Sequence, residues 1–222
     1  NLEGLHPNLK VQELEIRSND SLTSLGGLDG LTSMQGGIWI EDNESLISLQ
    51  GLDSLTSIGG DLRIGGNPYF TSLDGLQQLE SIGGGLAIRS NSRLVTLNGL
   101  SALTSVKGEM AIYSGGLTSF EGIDVLTTVG GNLIIEYNRR LTHLDGLGSL
   151  TTVGDHLKIR SNDSLTTLQA VNELRSIGNS LMIGDNDSLA TCEAKWLRDL
   201  VGKENIGGDI IIKDNIGWTP CD

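Results

Sequence analysis

Hydrophobic and polar positions recur along this chain with a fixed period of about 24 residues, and self-similarity at a period of this length means a solenoid. The cleanest unit is Gly83–Val106, which reads G-G-x-L-x-I-x-x-N-x-x-L-x-x-L-x-G-L-x-x-L-x-x-V. Its asparagine returns as Asn19, Asn43, Asn67, Asn91, Asn138, Asn162, Asn186 and Asn215. The steps are even up to Asn91. The step from Asn91 to Asn138 spans two coils with one residue lost. Two even steps follow, and the last, from Asn186 to Asn215, is longer.

Within each unit the segment x-L-x-I-x alternates apolar and polar positions, the signature of a half-buried strand. The pattern predicts strands at Leu14–Arg17, Ile38–Glu41, Leu62–Gly65, Leu86–Arg89, Met110–Tyr113, Leu133–Glu136, Leu157–Arg160, Leu181–Gly184 and Ile210–Lys213. Two shorter elements complete a coil, L-T-S-L as at Leu22–Leu25 and L-T-S-[I/V/M] as at Leu55–Ile58. Three straight segments joined by tight turns give a roughly triangular section. Coils stack at about 4.8 Å, so nine strands make a rod on the order of 40 Å long. No single coil buries its leucines alone, so none folds alone.

The expected architecture is therefore all-β, a parallel β-helix or leucine-rich-repeat-like solenoid of about nine coils. It forms one domain over 1–222: a degenerate half coil at 1–13, regular coils at 14–191 and a C-terminal cap at 192–222. The cap contains Glu193–Lys203, where Trp196, Leu197, Leu200 and Val201 make one apolar helical face. The period breaks there, and a helix over about 193–203 that covers the open core end explains the break. A last strand follows at about 210–213. A helix that binds a partner is the other reading of the segment.

Each asparagine follows a strand at a corner, where its amide can satisfy backbone groups that the turn buries. Asn19, Asn43, Asn162 and Asn186 also lie in N-x-S sequons; pointing inward, they would be poor glycan acceptors. The acids that follow them, Asp20, Glu44, Asp163 and Asp187, should face solvent. The column Gly27, Gly51, Gly75, Gly99, Gly122, Gly146 and pairs such as Gly59-Gly60 mark two further corners, where glycine tolerates positive φ.

Composition changes this picture little. The 31 glycines fall at fixed phases between leucines, so they are turn residues rather than a sign of disorder. A net charge of −13 argues against general nucleic-acid or anionic-membrane binding. No apolar run is long enough to span a membrane and no secretory signal is visible; the chain starts mid-repeat, so an upstream segment is compatible with it. The two cysteines, Cys192 and Cys221, bracket the cap and read as one disulfide, hence an oxidising compartment; two buried thiols are the alternative. Trp218 and that bridge would pin the tail over the core end. No cofactor or metal site is expected.

The unit L-T-S-I-G-G-x-L-x-I-x-x-N-x-x-L-x-x-L-x-G-L resembles the receptor L domain repeat, a relative of the leucine-rich repeat. The spacing after the strand is N-x-x-L, as in Asn91-Ser92-Arg93-Leu94, where a leucine-rich repeat has N-x-L. Lipid-anchored fungal wall proteins and secreted bacterial proteins are similar. The resemblance implies a right-handed solenoid on a secreted or cell-surface protein. The cysteine-rich modules that accompany receptor L domains are absent, which points to a bacterial surface protein and away from growth-factor binding.

Function in a solenoid lies where coils differ on an exposed sheet. The first outward strand column is Glu15, Trp39, Arg63, Ala87, Ala111, Ile134, Lys158, Met182, Ile211. The second is Arg17, Glu41, Gly65, Arg89, Tyr113, Glu136, Arg160, Gly184, Lys213. Six of the 15 basic residues lie in these columns against three acids. The columns also expose Trp39, Tyr113, Ile134 and Met182, with Tyr137 just beyond. Aromatics and arginine on a rigid sheet are what binding hot spots are made of. The candidate ligand-binding residues are Trp39, Arg63, Arg89, Tyr113, Ile134, Glu136, Tyr137, Lys158 and Arg160. The bland alternative is pairing across coils, with Arg17 over Glu41 and Glu136 over Arg160.

The coil Lys107–Val129 is one residue shorter than its neighbours and has Gly115 in place of the asparagine, beside Tyr113; it is a tolerated deletion or a bulge that shapes a pocket. The expected function is non-enzymatic recognition of a protein or glycan, with no nucleic-acid partner, no membrane insertion and no stated oligomeric state. A wall or spacer component without a ligand is the alternative. Ice binding is a further one, through two stacked hydroxyl columns, Thr23, Thr71, Thr118, Thr142, Thr166 and Ser24, Ser48, Ser72, Thr96, Ser119, Thr167, though the pattern is L-T-S-L and Ile47, Val95 and His143 interrupt the columns. A hydrolase comes last: His6, His143 and His156 form no constellation, and Glu41 and Glu136 lie four coils apart, roughly 19 Å.

Overall fold

A computed structural model describes residues 12–217; most of the half coil at 1–13, with His6, and the tail residues Trp218 and Cys221 lie outside them. The predicted strands all form, at the predicted bounds, and make one parallel nine-stranded sheet in sequence order. Register is in phase throughout: Ile16 pairs with Ile40, Ile40 with Ile64, and Ile159 with Ile183. A second parallel sheet has seven short strands, among them Ser33–Met34, Ser57–Ile58 and Ser176–Ile177.

Seven turns, not nine, contribute a strand to both sheets. The eighth turn replaces its middle with a helix at Thr191–Val201 and rejoins the second sheet only through a bridge from Ile206 to Ile177. The ninth supplies a strand alone. The third predicted side, L-T-S-L, is not a strand. It carries single bonds between coils, such as Thr71 N–H to the Ile47 carbonyl at 3.0 Å.

Leucines, isoleucines and valines from all sides meet in one continuous core that runs the length of the rod. The helix ends this core: Ala194, Leu197 and Val201 are buried, and Trp196 and Leu200 pack against it. Glu193 ties the helix down by accepting from the Leu168 N–H and the Thr167 hydroxyl, each at 2.9 Å. Cys192 lies in its first turn; the expected bridge to Cys221 reaches outside the described residues.

Four ladders of hydrogen bonds hold coil to coil besides the strands. In the asparagine ladder, Asn67 donates its amide to the carbonyls of Ile40 and Gly65, at 3.1 and 3.0 Å, and accepts the Asn43 N–H at 3.0 Å. Asn43, Asn162 and Asn186 are fully buried in this way, so those sequons are closed. Asn19 differs and is exposed: its amide turns back to the Arg17 carbonyl at 2.9 Å, with no earlier described strand to receive it. Asp20, Glu44 and Asp187 face solvent, whereas Asp163 is half-exposed, 3.7 Å from Arg139.

A second ladder runs along the corner before the strands. There Gly85 N–H donates to Asp61 (2.8 Å), His156 N–H to Asn132 (3.2 Å), Ser180 N–H to His156 Nδ1 (3.2 Å) and Asp209 N–H to Ser180 (3.1 Å). Two threonine ladders complete the set. Thr142 donates its hydroxyl to the Thr118 carbonyl, and Thr151 to that of Thr127. In the first column named for ice binding, the hydroxyls of Thr71, Thr118, Thr142 and Thr166 are thus turned to backbone carbonyls.

The two glycine corners work differently. Gly51 has φ of 114°, and a Cβ there would lie 2.1 Å from the Leu25 carbonyl oxygen. At Gly59 φ is not in the left-handed region; glycine is required because a Cβ would come within 2.2 Å of the Gln35 carbonyl oxygen. Close stacking, and not positive φ, dictates the second column.

Replacing Asn67 by Ala removes its side-chain ladder bonds, those to the Ile40 and Gly65 carbonyls and to Asn43 and Asn91, and leaves the buried Asn43 N–H unpaired. Urea unfolding should show a loss of about 3 kcal/mol, against under about 1 kcal/mol for Asn19→Ala at the exposed end. Equal losses would contradict the ladder's role.

Candidate recognition face

The outward positions of the nine-stranded sheet stack into two columns, with neighbours about 4.8 Å apart. At the N-terminal end Trp39 is half-buried between two guanidinium groups, Arg17 at 5.8 Å and Arg63 at 5.9 Å from its ring. Such contacts are worth roughly 0.5–2 kcal/mol each. Arg63 is further fixed by Asp61 at 2.8 Å. Asp61 is held below the usual carboxylate range, chiefly by the Gly85 N–H and then by Arg63, against the opposing effect of burial. The Trp39 Nε1 is covered and has no hydrogen-bond partner among the described residues.

Glu41, expected on the surface, is only 8 % exposed. Two arginines cover it. Arg17 approaches to 3.4 Å from the strand before, and Arg89 reaches it from two strands beyond. Arg89 does so by lying across Gly65, where a Cβ would sit 2.8 Å from the Arg89 Cγ. A glycine in the outward column is therefore a trough for a neighbour's side chain. Glu15 also faces Arg17, at 3.7 Å, so the acids at this end form one ion-pair cluster.

The shortened coil sits mid-face. Ser114, not Gly115, takes the asparagine's place: its N–H donates to Asn138 at 2.9 Å and its hydroxyl to the Asn91 carbonyl at 3.0 Å. The missing residue is the corner residue between strand and asparagine. In most other coils that residue has positive φ and is Ser18, Asp42, Gly66, Ser90, Ser161, Asp185 or Asp214. Small polar residues and glycine tolerate this region. The exception is Tyr137, at φ 59° and 62 % exposed. A bulky side chain there is strained, and strain of this kind collects at functional positions.

Tyr137 lies close enough to Tyr113 to influence its ionisation. The Tyr113 hydroxyl is pushed above its ordinary value by burial first, then by the carboxylates of Glu136 and Glu109 and by Tyr137. Arg89 is the register partner of Tyr113. The face from Trp39 through Arg63 and Arg89 to Tyr113 and Tyr137 is thus one band of aromatic and arginine side chains.

Two expectations need correction. Ile134 is not exposed: only 8 % of it meets solvent, because Ala111 and Lys158 flank it in register on both sides. Ile211 in the same column, on the outer strand with one neighbour, is 39 % exposed. Glu136 and Arg160 are register partners but do not form the pair. Arg160 turns to Asp185 through Nη2 (2.7 Å) and Nε (3.3 Å), which raises its already high pKa.

The family model for the receptor L domain matches residues 127–216, less than half of the chain. Residues 127–216 belong to the receptor L domain family. Neither curated proteins nor solved structures yielded a match. The receptor L domain match begins after the break at Gly115, and the earlier coils carry the same strand-and-asparagine pattern in the same sheet. Among the described residues no helix is long and apolar enough to cross a membrane.

Three features of this face go beyond the sequence-based expectations: the trough at Gly65, the corner ladder and the strain at Tyr137. The last was visible as the one aromatic in a column of Ser, Asp and Gly. A tyrosine hydroxyl with a raised folded pKa costs stability once the unfolded chain ionises first. Stability should therefore fall as pH rises above about 10. Tyr113→Phe should flatten that fall in thermal unfolding across this alkaline range, and an unchanged profile would contradict the assignment.

Proposed function

We propose that the chain is a non-enzymatic recognition module that binds a protein or glycan through the variable face of its long sheet. The observation that carries this is Tyr137, an exposed aromatic kept at a left-handed corner where seven other coils use Ser, Asp or Gly. A scaffold selected for stability alone has no reason to keep it. Family membership supports the same reading, since the receptor L domain is a ligand-binding unit.

Trp39, Arg63, Arg89, Tyr113, Glu136, Tyr137, Lys158 and Arg160 are the contact residues in this reading; Ile134 contributes packing beneath them. Trp39 is pre-ordered by the arginines on either side of its ring, which lowers the entropy lost on binding. An extracellular or cell-surface setting, on a bacterial cell, with Cys192 and Cys221 bridged and one domain over the whole chain, belongs to the same proposal.

An array of surface proteins and glycans identifies the ligand, and two variants then test the face. Tyr137→Asp should raise stability by about 1 kcal/mol by relieving the corner while weakening binding at least about tenfold. Trp39→Ala should weaken binding similarly. Unchanged binding in both variants would overturn the proposal in favour of a spacer without a ligand.

A further inference from the structure

A hollow of about 170 Å³ opens on the same face near its C-terminal end, lined by Arg160, Met182, Gly184, Ile211 and Lys213. Gly184 stands in the second outward column between Arg160 and Lys213, its register partners on either side. Gly65 stands likewise between Glu41 and Arg89. At Gly65 the flanking charges are opposite, so Arg89 crosses the glycine to Glu41 and fills the trough. At Gly184 both flanks are cationic. Neither side chain can pair with the other across the glycine, and the trough stays open.

We propose that this trough receives a carboxylate side chain, Glu or Asp, carried by a protein segment with an apolar residue beside it. The geometry is that of the Glu41–Gly65–Arg89 arrangement with the charges exchanged. The side chain would lie over Gly184 and end between the two cations. Arg160 binds Asp185 only through Nε and Nη2, which leaves Nη1 without an acceptor among the described residues. Among the described residues the Lys213 ammonium has Asp214 as its one ion-pair partner, at 3.9 Å.

Strands two apart are separated by about 10 Å. That span holds a carboxylate with charge-assisted bonds of about 2.8 Å on each side. Met182 and Ile211 form the apolar ledge next to it. Asp185 and Asp214 on the same rim, on a chain of net charge −13, disfavour a dianion or a polyanion.

The inference rests on the long sheet being the binding face, but its readout is local to Gly184 and independent of the aromatic band. The experiment titrates the isotope-labelled full chain with acetyl-Leu-Glu-Leu-amide and follows backbone amide signals. Parallel titrations use acetyl-Leu-Gln-Leu-amide and inorganic phosphate. Signals of Gly184 and Lys213 should move and saturate with the Glu peptide, and respond to the Gln peptide and phosphate with at least about tenfold weaker affinity. Lys213→Gln, at an exposed position, should weaken the Glu peptide about fivefold or more. So should Gly184→Ala, whose Cβ enters the trough and meets the Lys213 carbonyl oxygen at 3.0 Å. Equal response to the Glu and Gln peptides, a stronger response to phosphate, or no response at Gly184 would overturn the proposal. Any of these leaves the reading of Trp39 and Tyr137 standing, because neither touches the hollow.

Discussion

Nearly every coil of this chain is held to its neighbour by a side-chain amide, and the shortened one by the Ser114 hydroxyl. The asparagine ladder depends on geometry that asparagine supplies in full at this corner: two N–H donors to strand-end carbonyls and one oxygen that accepts a backbone N–H. Asn67 and Asn138 show the same pattern, reaching one carbonyl in the preceding coil and one just before them in their own. Asn91, Asn162 and Asn186 make the same reach to the preceding coil. Without it the corner would bury unpaired polar groups at every turn. The leucine core supplies the driving force along the rod, but it is non-directional. The ladders set the register that places like on like.

That division leaves the outward strand positions less constrained by the fold than the inward ones, and the chain uses them unevenly. At one end arginines clamp a tryptophan and bury a glutamate. In the middle a coil loses its corner residue, and the next coil puts a tyrosine at its own. At the other end a glycine stands between two cations. Serine can replace asparagine at the shortened coil because Ser114 still presents an N–H to Asn138 and a hydroxyl donor to the carbonyl behind it. The scaffold therefore absorbs a deletion without loss of either sheet, and the local change is confined to the end of the strand at Tyr113, which pairs in register with Arg89 on one side and with no residue on the other.

The fold was legible because its determinants are periodic. Strand bounds and the asparagine corner follow from phases in one repeat and the capping helix from the break in it, and the helix shifted only slightly, from about 193–203 to Thr191–Val201. The turn count was not legible, because a strand-like segment such as Ile210–Lys213 looks the same in sequence whether or not it completes a coil. The face was half legible. Period 2 tells which side chains point outward, but exposure depends on what the neighbours in the next coils do. Ile134 is covered by its flanks and Glu41 by an arginine two strands away, a relation that no local pattern contains. The trough at Gly184 likewise exists only because of the charges on either side of it.

In the proposed function, recognition is confined to the outward face of the nine-stranded sheet and the corner that carries Tyr137. Hydrogen–deuterium exchange of the chain with and without its ligand tests this most directly. New protection should appear within 38–41, 62–65, 86–89, 110–113, 133–137 and 157–160, with the L-T-S-L sides and the helix unchanged. Protection concentrated on the threonine ladders or on Thr191–Val201, with the long strands unaffected, would contradict it.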